Sequence, residues 1–304
     1  MTITAQRARA RADVRLRVVS WNLHAGATGR LDAKIELLEE IRPDLVLLQE
    51  ISRPVYRALL PNPMVYERQH ERSRLFSWGA LSTDLTRPRG SEQRLGCAVL
   101  GGQDTELLAA GPLSASVFDV DDPRRPGMLR RTVTAQVAVR GGSTVTACSF
   151  QARPTPRDPS VVLRPDFQAG IAQWLVRTAG PIIVGIDARA PEIDHPDLRC
   201  SVFRSPAPEG GGPGEDHLLG PEPTHALIDV FRRHLQRRPD QFARIAAQRP
   251  DGPLAVSRRV AGRPARHDHI WATPDVDVLD VRYLYEEAVS TGSDHALVLA
   301  DLCL

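Results

Sequence analysis

The sequence predicts an α/β fold, and three observations carry that prediction. Residues 16–50 read as strand, helix, strand, with an eleven-residue helical period set between two apolar runs. The run Pro181-Ile182-Ile183-Val184-Gly185-Ile186-Asp187 is β-branched and apolar, and its flanking Pro and Gly bound it as a buried strand. Finally, the apolar runs end or begin on polar side chains, which delivers those groups to a sheet edge, where α/β proteins place their chemistry.

Length and composition fit this reading. A chain of 304 residues with 42% hydrophobic content can bury a substantial core. A formal net charge of +2 neither demands nor excludes a polyanionic partner. Lys34 is the only lysine, and arginine supplies the remaining cations. Cys97, Cys148, Cys200 and Cys303 are scattered, with no spacing that suggests zinc or a disulfide framework. The arginine-bearing N-terminus lacks an apolar stretch after it, and no later run is long enough to span a membrane. The expectation is a cytoplasmic protein without a membrane span, formed of a flexible tail (1–14) and one domain (15–304).

Taken in order, Leu16–Asn22 reads as a strand ending on an amide, either a turn residue or an outer ligand that holds a water on a metal. Leu31 to Ile41 has helical spacing, with Leu31, Ile35, Leu38 and Ile41 on one face, and Arg42-Pro43 stops it. Leu45 to Glu50 is a strand ending in a carboxylate. If it neighbours the first strand, Asn22 and Glu50 together suit a hard cation. Tyr56 to Gln93, with Trp78 among arginines, reads as an irregular surface or a nucleic-acid grip. Leu95 to Leu100, Glu106 to Val120 and Arg130 to Val139 read as strands, and Gly141-Gly142 turns a hairpin into Ser143–Phe150.

A loop from Ala152 to Pro165 holds four prolines, and a helix from Asp166 to Val176 presents Phe167, Ile171, Trp174 and Leu175. That helix feeds the strand ending at Asp187, whose carboxylate can bind a cation, activate water or cap the next helix. Ser205 to Pro223 is rich in Gly and Pro and reads as a loop. Thr224 to Leu235 reads as a helix capped by Thr224, and Leu254 to Val260 as a strand turning at Ala261-Gly262. Near the C-terminus, a charged cluster begins a strand at Arg266-His267-Asp268-His269-Ile270, and Ser293-Asp294-His295 opens another. An Asp-His dipeptide is most often a cap or a surface pair, but this one opens an apolar strand, and Asp268 upstream could orient the imidazole.

The ordered set Trp21-Asn22, Gln49-Glu50, Gly185-Ile186-Asp187, Arg266-His267-Asp268-His269-Ile270 and Ser293-Asp294-His295 resembles the endonuclease/exonuclease/phosphatase superfamily. The resemblance spans residues 16–304. It implies a four-layer α/β sandwich, two mixed β-sheets flanked by helices, as in DNase I. It also implies a hydrolase acting on a phosphoester, nucleic acid included, with Mg²⁺ or Mn²⁺. By resemblance Glu50 holds the metal with Asn22 and Asp294, Asp187 orients or deprotonates the attacking water, and His295, held by Asp268, stabilises the phosphorane.

Two positions depart from the family pattern. Gln151 stands where the family has His or Tyr, and a glutamine donates hydrogen bonds but shuttles no proton near neutral pH. Arg189 stands where the family has Asn. In an extended segment it shares a face with Asp187, where it would either pair with that carboxylate and lower its pKa or clamp a phosphate. Both positions are candidate substrate contacts. The sequence therefore supports a metal-dependent phosphodiesterase, with an endonuclease as one form. The competing reading is an impaired member that binds a phosphate ligand or a protein partner.

Overall fold

The computed structural model describes residues 14–24, 30–60, 76–82, 95–111, 113, 131–152, 164–203 and 214–304. The expected tail lies almost wholly outside them, as do most of the proline loop after Ala152 and residues 114–120 of one expected strand.

Two six-stranded sheets dominate the described residues. The first contains β1 (Arg15–Asn22), β2 (Leu45–Ile51), β3 (Trp78–Leu81), β4 (Gly96–Gly101), β13 (Asp277–Leu284) and β14 (Leu297–Cys303). Their spatial order is β13-β14-β1-β2-β4-β3. The second contains β5 (Thr105–Gly111), β6 (Thr132–Val139), β7 (Ser143–Gln151), β8 (Ile182–Asp187), β9 (Ile228–Asp229) and β12 (Asp268–Ala272). Their order is β5-β6-β7-β8-β12-β9, and a separate ribbon pairs β10 (Arg258–Val260) with β11 (Arg263–Ala265).

The period of two along a strand explains how the sheets stack. Val18, Leu47, Ala147 and Ile183 point into a shared core between the sheets. Their chain neighbours Val19, Leu48, Cys148 and Val184 point outward into two further clusters. Both faces are covered, so these strands read as continuous apolar runs rather than alternating ones. Helices α1 (Leu31–Ile41) and α2 (Arg53–Leu59) cover the outer face of the first sheet through Leu38, Ile41, Val55 and Leu59. Helices α3 (Arg164–Arg177) and α4 (Gly214–Leu219) cover the second through Ile171, Leu175 and Leu218. The result is the expected helix–sheet–sheet–helix sandwich. Each fully buried Leu, Ile or Val contributes about 1.5–3 kcal/mol.

Gly185 lets the sheets close beneath the site. A Cβ there would lie 2.6 Å from the Leu47 Cβ and 2.7 Å from the Ser20 Oγ, both on the opposing sheet.

Several elements differ from the sequence expectation. Strand β3 lies within the stretch read as irregular and helix α2 runs into its start, and Trp78 is a strand residue whose indole N–H donates to Thr105. The Gly/Pro loop contains α4. The helix expected to start at Thr224 is α5 (Val230–Gln236), capped by Asp229 Oδ1, which accepts from the Phe231 and Arg232 amides at 2.9 and 3.2 Å. Such a cap contributes about 1 kcal/mol. Only Arg258–Val260 of the strand expected from Leu254 is paired. On α1 the buried face includes Lys34 beside Leu38 and Ile41, while Leu31 and Ile35 are only partly buried. The sequence reading missed α6 (Pro239–Gln248), β13 and α7 (Tyr285–Ser290). A bulge between Val278 and Asp280 breaks the alternation of β13.

Candidate active site

Strand direction collects the polar ends. β1 and β2 run parallel, as do β7 and β8, so Asn22, Glu50, Gln151 and Asp187 leave their sheets at the same edge. Gln151 and Asp187 are register partners. β12 runs antiparallel to β8 with Asp268 opposite Asp187, and β14 runs antiparallel to β1 with Leu297 opposite Trp21. Their beginnings therefore bring Asp268 and His295 to that same edge.

Side chains knit the two sheets together there. The Asn22 amide donates to Asp187 Oδ2 at 2.9 Å, and Gln151 Nε2 donates to Asp187 Oδ2 at 3.0 Å and to Glu50 Oε1 at 2.5 Å. Deeper, Gln49 Nε2 donates to Ser149 Oγ at 3.0 Å, and that hydroxyl donates to the Leu48 carbonyl at 2.8 Å. Asn22 Oδ1 accepts from the His24 backbone at 2.9 Å. Glu50 adopts a left-handed φ of 53°, which breaks its pairing with β4 and turns the carboxylate toward the edge.

Asp187 is fully buried and Oδ1, its second oxygen, has no hydrogen-bond partner. Burial alone would raise its pKa. The charges of His295 and Arg189 and the hydrogen bonds from Gln151 and Asn22 outweigh burial and hold the carboxyl below its ordinary range. His295 is also buried, with Nδ1 at 2.9 and 3.0 Å from the two oxygens of Asp268. Burial would discharge the ring, but Asp268, Asp187 and Asp294 override it and raise the pKa to about 9. Burial pushes Asp268 upward as well, so the two directions conflict for a single ion pair. The nearly symmetric contact to both oxygens favours the ionised pair, because a protonated acid would turn a hydroxyl toward the ring. One oxygen each of Asp187 and Asp268 and one nitrogen of His295 lie within 4.8 Å of one another.

Arg189 departs from the extended geometry expected of it, with a left-handed φ of 52°. Its guanidinium nonetheless reaches toward the site, 4.0 Å from Asp187 Oδ2 and 3.9 Å from Glu50 Oε1. These separations are too long for hydrogen bonds and leave its donors available. Gln151 differs in this respect. Its amide hydrogens face two carboxylates and its oxygen accepts from Arg131, so it braces Glu50 against Asp187 and has no donor left for substrate.

Asp294 is partly exposed, and Arg258 donates to its Oδ2 at 2.7 Å. Its Oδ1 has no hydrogen-bond partner. Asp294 Oδ1 and Glu50 Oε2 both face His24 Nδ1, at 3.3 and 3.8 Å, and each is an oxygen donor of the kind a divalent cation takes. Asn22 contributes indirectly, since its amide points at Asp187 and its oxygen already accepts from a backbone N–H. Sequence reasoning missed His24, Lys34, Arg131 and Arg258. Lys34 donates to the Leu23 carbonyl at 2.6 Å beneath the β1 terminus, and its standing as the only lysine was the one available signal.

No family model and no curated protein matches the sequence. Solved structures do match over nearly the whole chain. The Xenopus laevis APE2 catalytic domain is 18% identical, with a TM-score of 0.63 over 95% of this chain and 92% of its own. ANGEL2, a 2′,3′-cyclic phosphatase, is 14% identical, with a TM-score of 0.58 over 96% of each chain. An endonuclease/exonuclease/phosphatase from Bacteroides vulgatus is 14% identical, with a TM-score of 0.55 over 95% of this chain and 98% of its own. Together with the two packed mixed sheets, these likenesses show that the chain has the DNase-I-like fold that these structures share.

Proposed function

We propose that this sheet edge hydrolyses a phosphoester with a divalent metal ion, the chain acting as a phosphodiesterase with nucleic acid among its substrates. One observation carries the reading: a buried carboxylate with an unpaired oxygen, Asp187, lies beside a buried imidazole whose charge Asp268 sustains. The fold neighbours support the substrate class. ANGEL2 is a 2′,3′-cyclic phosphatase, and a further match, TDP2 from D. rerio, 12% identical with a TM-score of 0.57, is complexed with a single-stranded DNA product.

In this proposal Asp187 Oδ1 accepts a hydrogen bond from the attacking water and takes its proton as the oxygen approaches phosphorus. Asn22 and Gln151 hold the other carboxylate oxygen and so fix the direction of Oδ1. His295 donates from Nε2 to a phosphoryl oxygen whose charge grows in the transition state, while Asp268 holds Nδ1. Arg189 supplies a planar donor pair for another phosphoryl oxygen. Glu50 and Asp294 would hold Mg²⁺ or Mn²⁺, which would supply positive charge to offset that developing on the phosphate.

The competing reading, phosphate binding without turnover, draws on Gln151 being tied to two carboxylates, because the site then lacks a second proton-transfer group. Hydrolysis of an aryl phosphodiester and of supercoiled plasmid, with Mg²⁺ or Mn²⁺, decides between them beside Glu50→Ala. Metal-dependent turnover lost in the variant is expected. Equal rates for the two proteins on both substrates would favour the binding module.

A further inference from the structure

A cavity of about 450 Å³ opens between α6, β10, the end of β13 and the start of α7. None of the residues that line it belongs to the site described above. Its volume suits one nucleotide-sized group. Ile245, Leu254 and Leu284 give it apolar surface, and Tyr283 and Tyr285 add two aromatic rings.

The charged lining is cationic, with Arg249, Arg259 and Arg282 against a single carboxylate, Glu286. Arg282 is engaged by Asp280, 3.3 Å from its Nε. Arg249 and Arg259 make no ion pair among the described residues. Arg249 donates to the Leu254 carbonyl at 3.0 Å, and its Nε is buried without a partner. Arg259 is exposed, makes one long contact of 3.4 Å with the Gly262 carbonyl, and lies 6.0 Å from the centroid of the Tyr285 ring. An aromatic face with a guanidinium over it, beside uncompensated cations, is a platform on which a base stacks while its phosphates are neutralised.

The cavity adjoins the sheet edge through two residues. Tyr283 lines it, and its hydroxyl donates to the Asp268 carbonyl at 2.8 Å. Arg258 holds Asp294 at 2.7 Å and its backbone bridges to His295, while its neighbour Arg259 lines the cavity, as alternation along β10 requires. From this arrangement we infer that the cavity is a subsite for single-stranded nucleic acid, holding a base at Tyr285 and Arg259 while the scissile phosphate occupies the sheet edge. The inference rests on the nucleic-acid reading of the preceding section and narrows it to an unpaired strand, because a base stacked and paired within a duplex presents no free face to Tyr285.

The test uses the full chain in EDTA, with fluorescein-labelled oligothymidylate of about 12 nucleotides as the probe and anisotropy as the reading. Tyr285→Ala should weaken binding by at least about fivefold. Arg259→Gln should flatten the slope of log affinity against log salt by about 0.7, the value for one lost phosphate contact on a single strand. It alters an exposed side chain, so it keeps the test open if Tyr285→Ala fails to fold. Oligonucleotide binding that neither variant changes overturns the inference, and so does a duplex of the same length that Tyr285→Ala weakens equally. Tighter binding of a labelled oligoglutamate than of the oligonucleotide also overturns it, by assigning the cavity to an acidic protein segment. Failure of the hydrolytic reading has a different signature: the native protein leaves the aryl diester and plasmid intact with Mn²⁺, while Tyr285→Ala still loses oligonucleotide affinity.

Discussion

Replacing Asp268 with Asn keeps the shape of the side chain and removes the charge that His295 leans on. In the native protein the ring is buried, yet its pKa stands at about 9 against the ordinary 6.5. At 1.36 kcal/mol per pH unit this difference favours the charged ring by about 3 kcal/mol. Burial is the largest influence and opposes the charge, and the Asp268 carboxylate at 2.9 Å is the largest of those that restore it. Without that carboxylate the midpoint is expected to fall well below its native position, since Asp187 and Asp294 then face the burial cost alone. The sign for stability follows from linkage. A folded pKa above the unfolded one contributes stability that is complete below pH 6.5 and is lost as pH rises through about 9. The stability gap between native protein and Asp268→Asn should therefore be wide below about pH 6.5 and narrow as pH rises through about 9. Nuclear magnetic resonance of ¹⁵N-labelled histidine, followed from about pH 5 to about pH 10.5, reads the midpoint directly. A native His295 that titrates near 6.5, or a midpoint that Asp268→Asn leaves in place, refutes the reasoning.

Four further expectations follow from the structure. Arg266 is buried and bound to Asp194 at 2.8 Å and to Asp229 at 2.7 Å, so Arg266→Met should cost about 3–5 kcal/mol in urea unfolding. Those two carboxyls are held below their ordinary range because Arg266 outweighs their burial, so stability is present above about pH 4 and lost as pH falls further, which acid titration followed by circular dichroism checks. Gly185→Ala forces a methyl group to within 2.6 Å of Leu47 and should destabilise by about 1–3 kcal/mol, read as a lower urea midpoint with an unchanged slope. Arg189→Met removes the planar donor pair and should lower kcat/KM by about 10²-fold while leaving Mn²⁺ affinity within about threefold; equal turnover would remove Arg189 from the site.

Much of this fold is legible because its buried strands are continuous apolar runs closed by polar residues. β2 and β8 declare themselves in that way, and the helical spacing from Leu31 to Ile41 matches α1 in extent. What stayed hidden depends on contacts far apart in sequence. The cap of α5 is Asp229, and it is invisible without the short β9–β12 pairing that ends the strand there. In β13 a bulge shifts the alternation and blurs its period, whereas α6 carries only the short apolar stripe of Phe242 and Ile245, partly buried against the core. At the site, the strand-end residues were readable from Asn22 to His295. The duties of Gln151 were not, because Asp187 and Arg131 reach it through strand pairing within one sheet and Glu50 only once the two sheets are stacked.

The most direct test of the hydrolytic centre is the turnover of an aryl phosphodiester by Asp187→Asn, with Mn²⁺ binding measured on the same sample. Asn is isosteric but cannot take a proton from water, so kcat should fall by about 10²- to 10⁴-fold while Mn²⁺ binding persists. A variant that turns over the diester at the native rate with metal still bound would contradict the account.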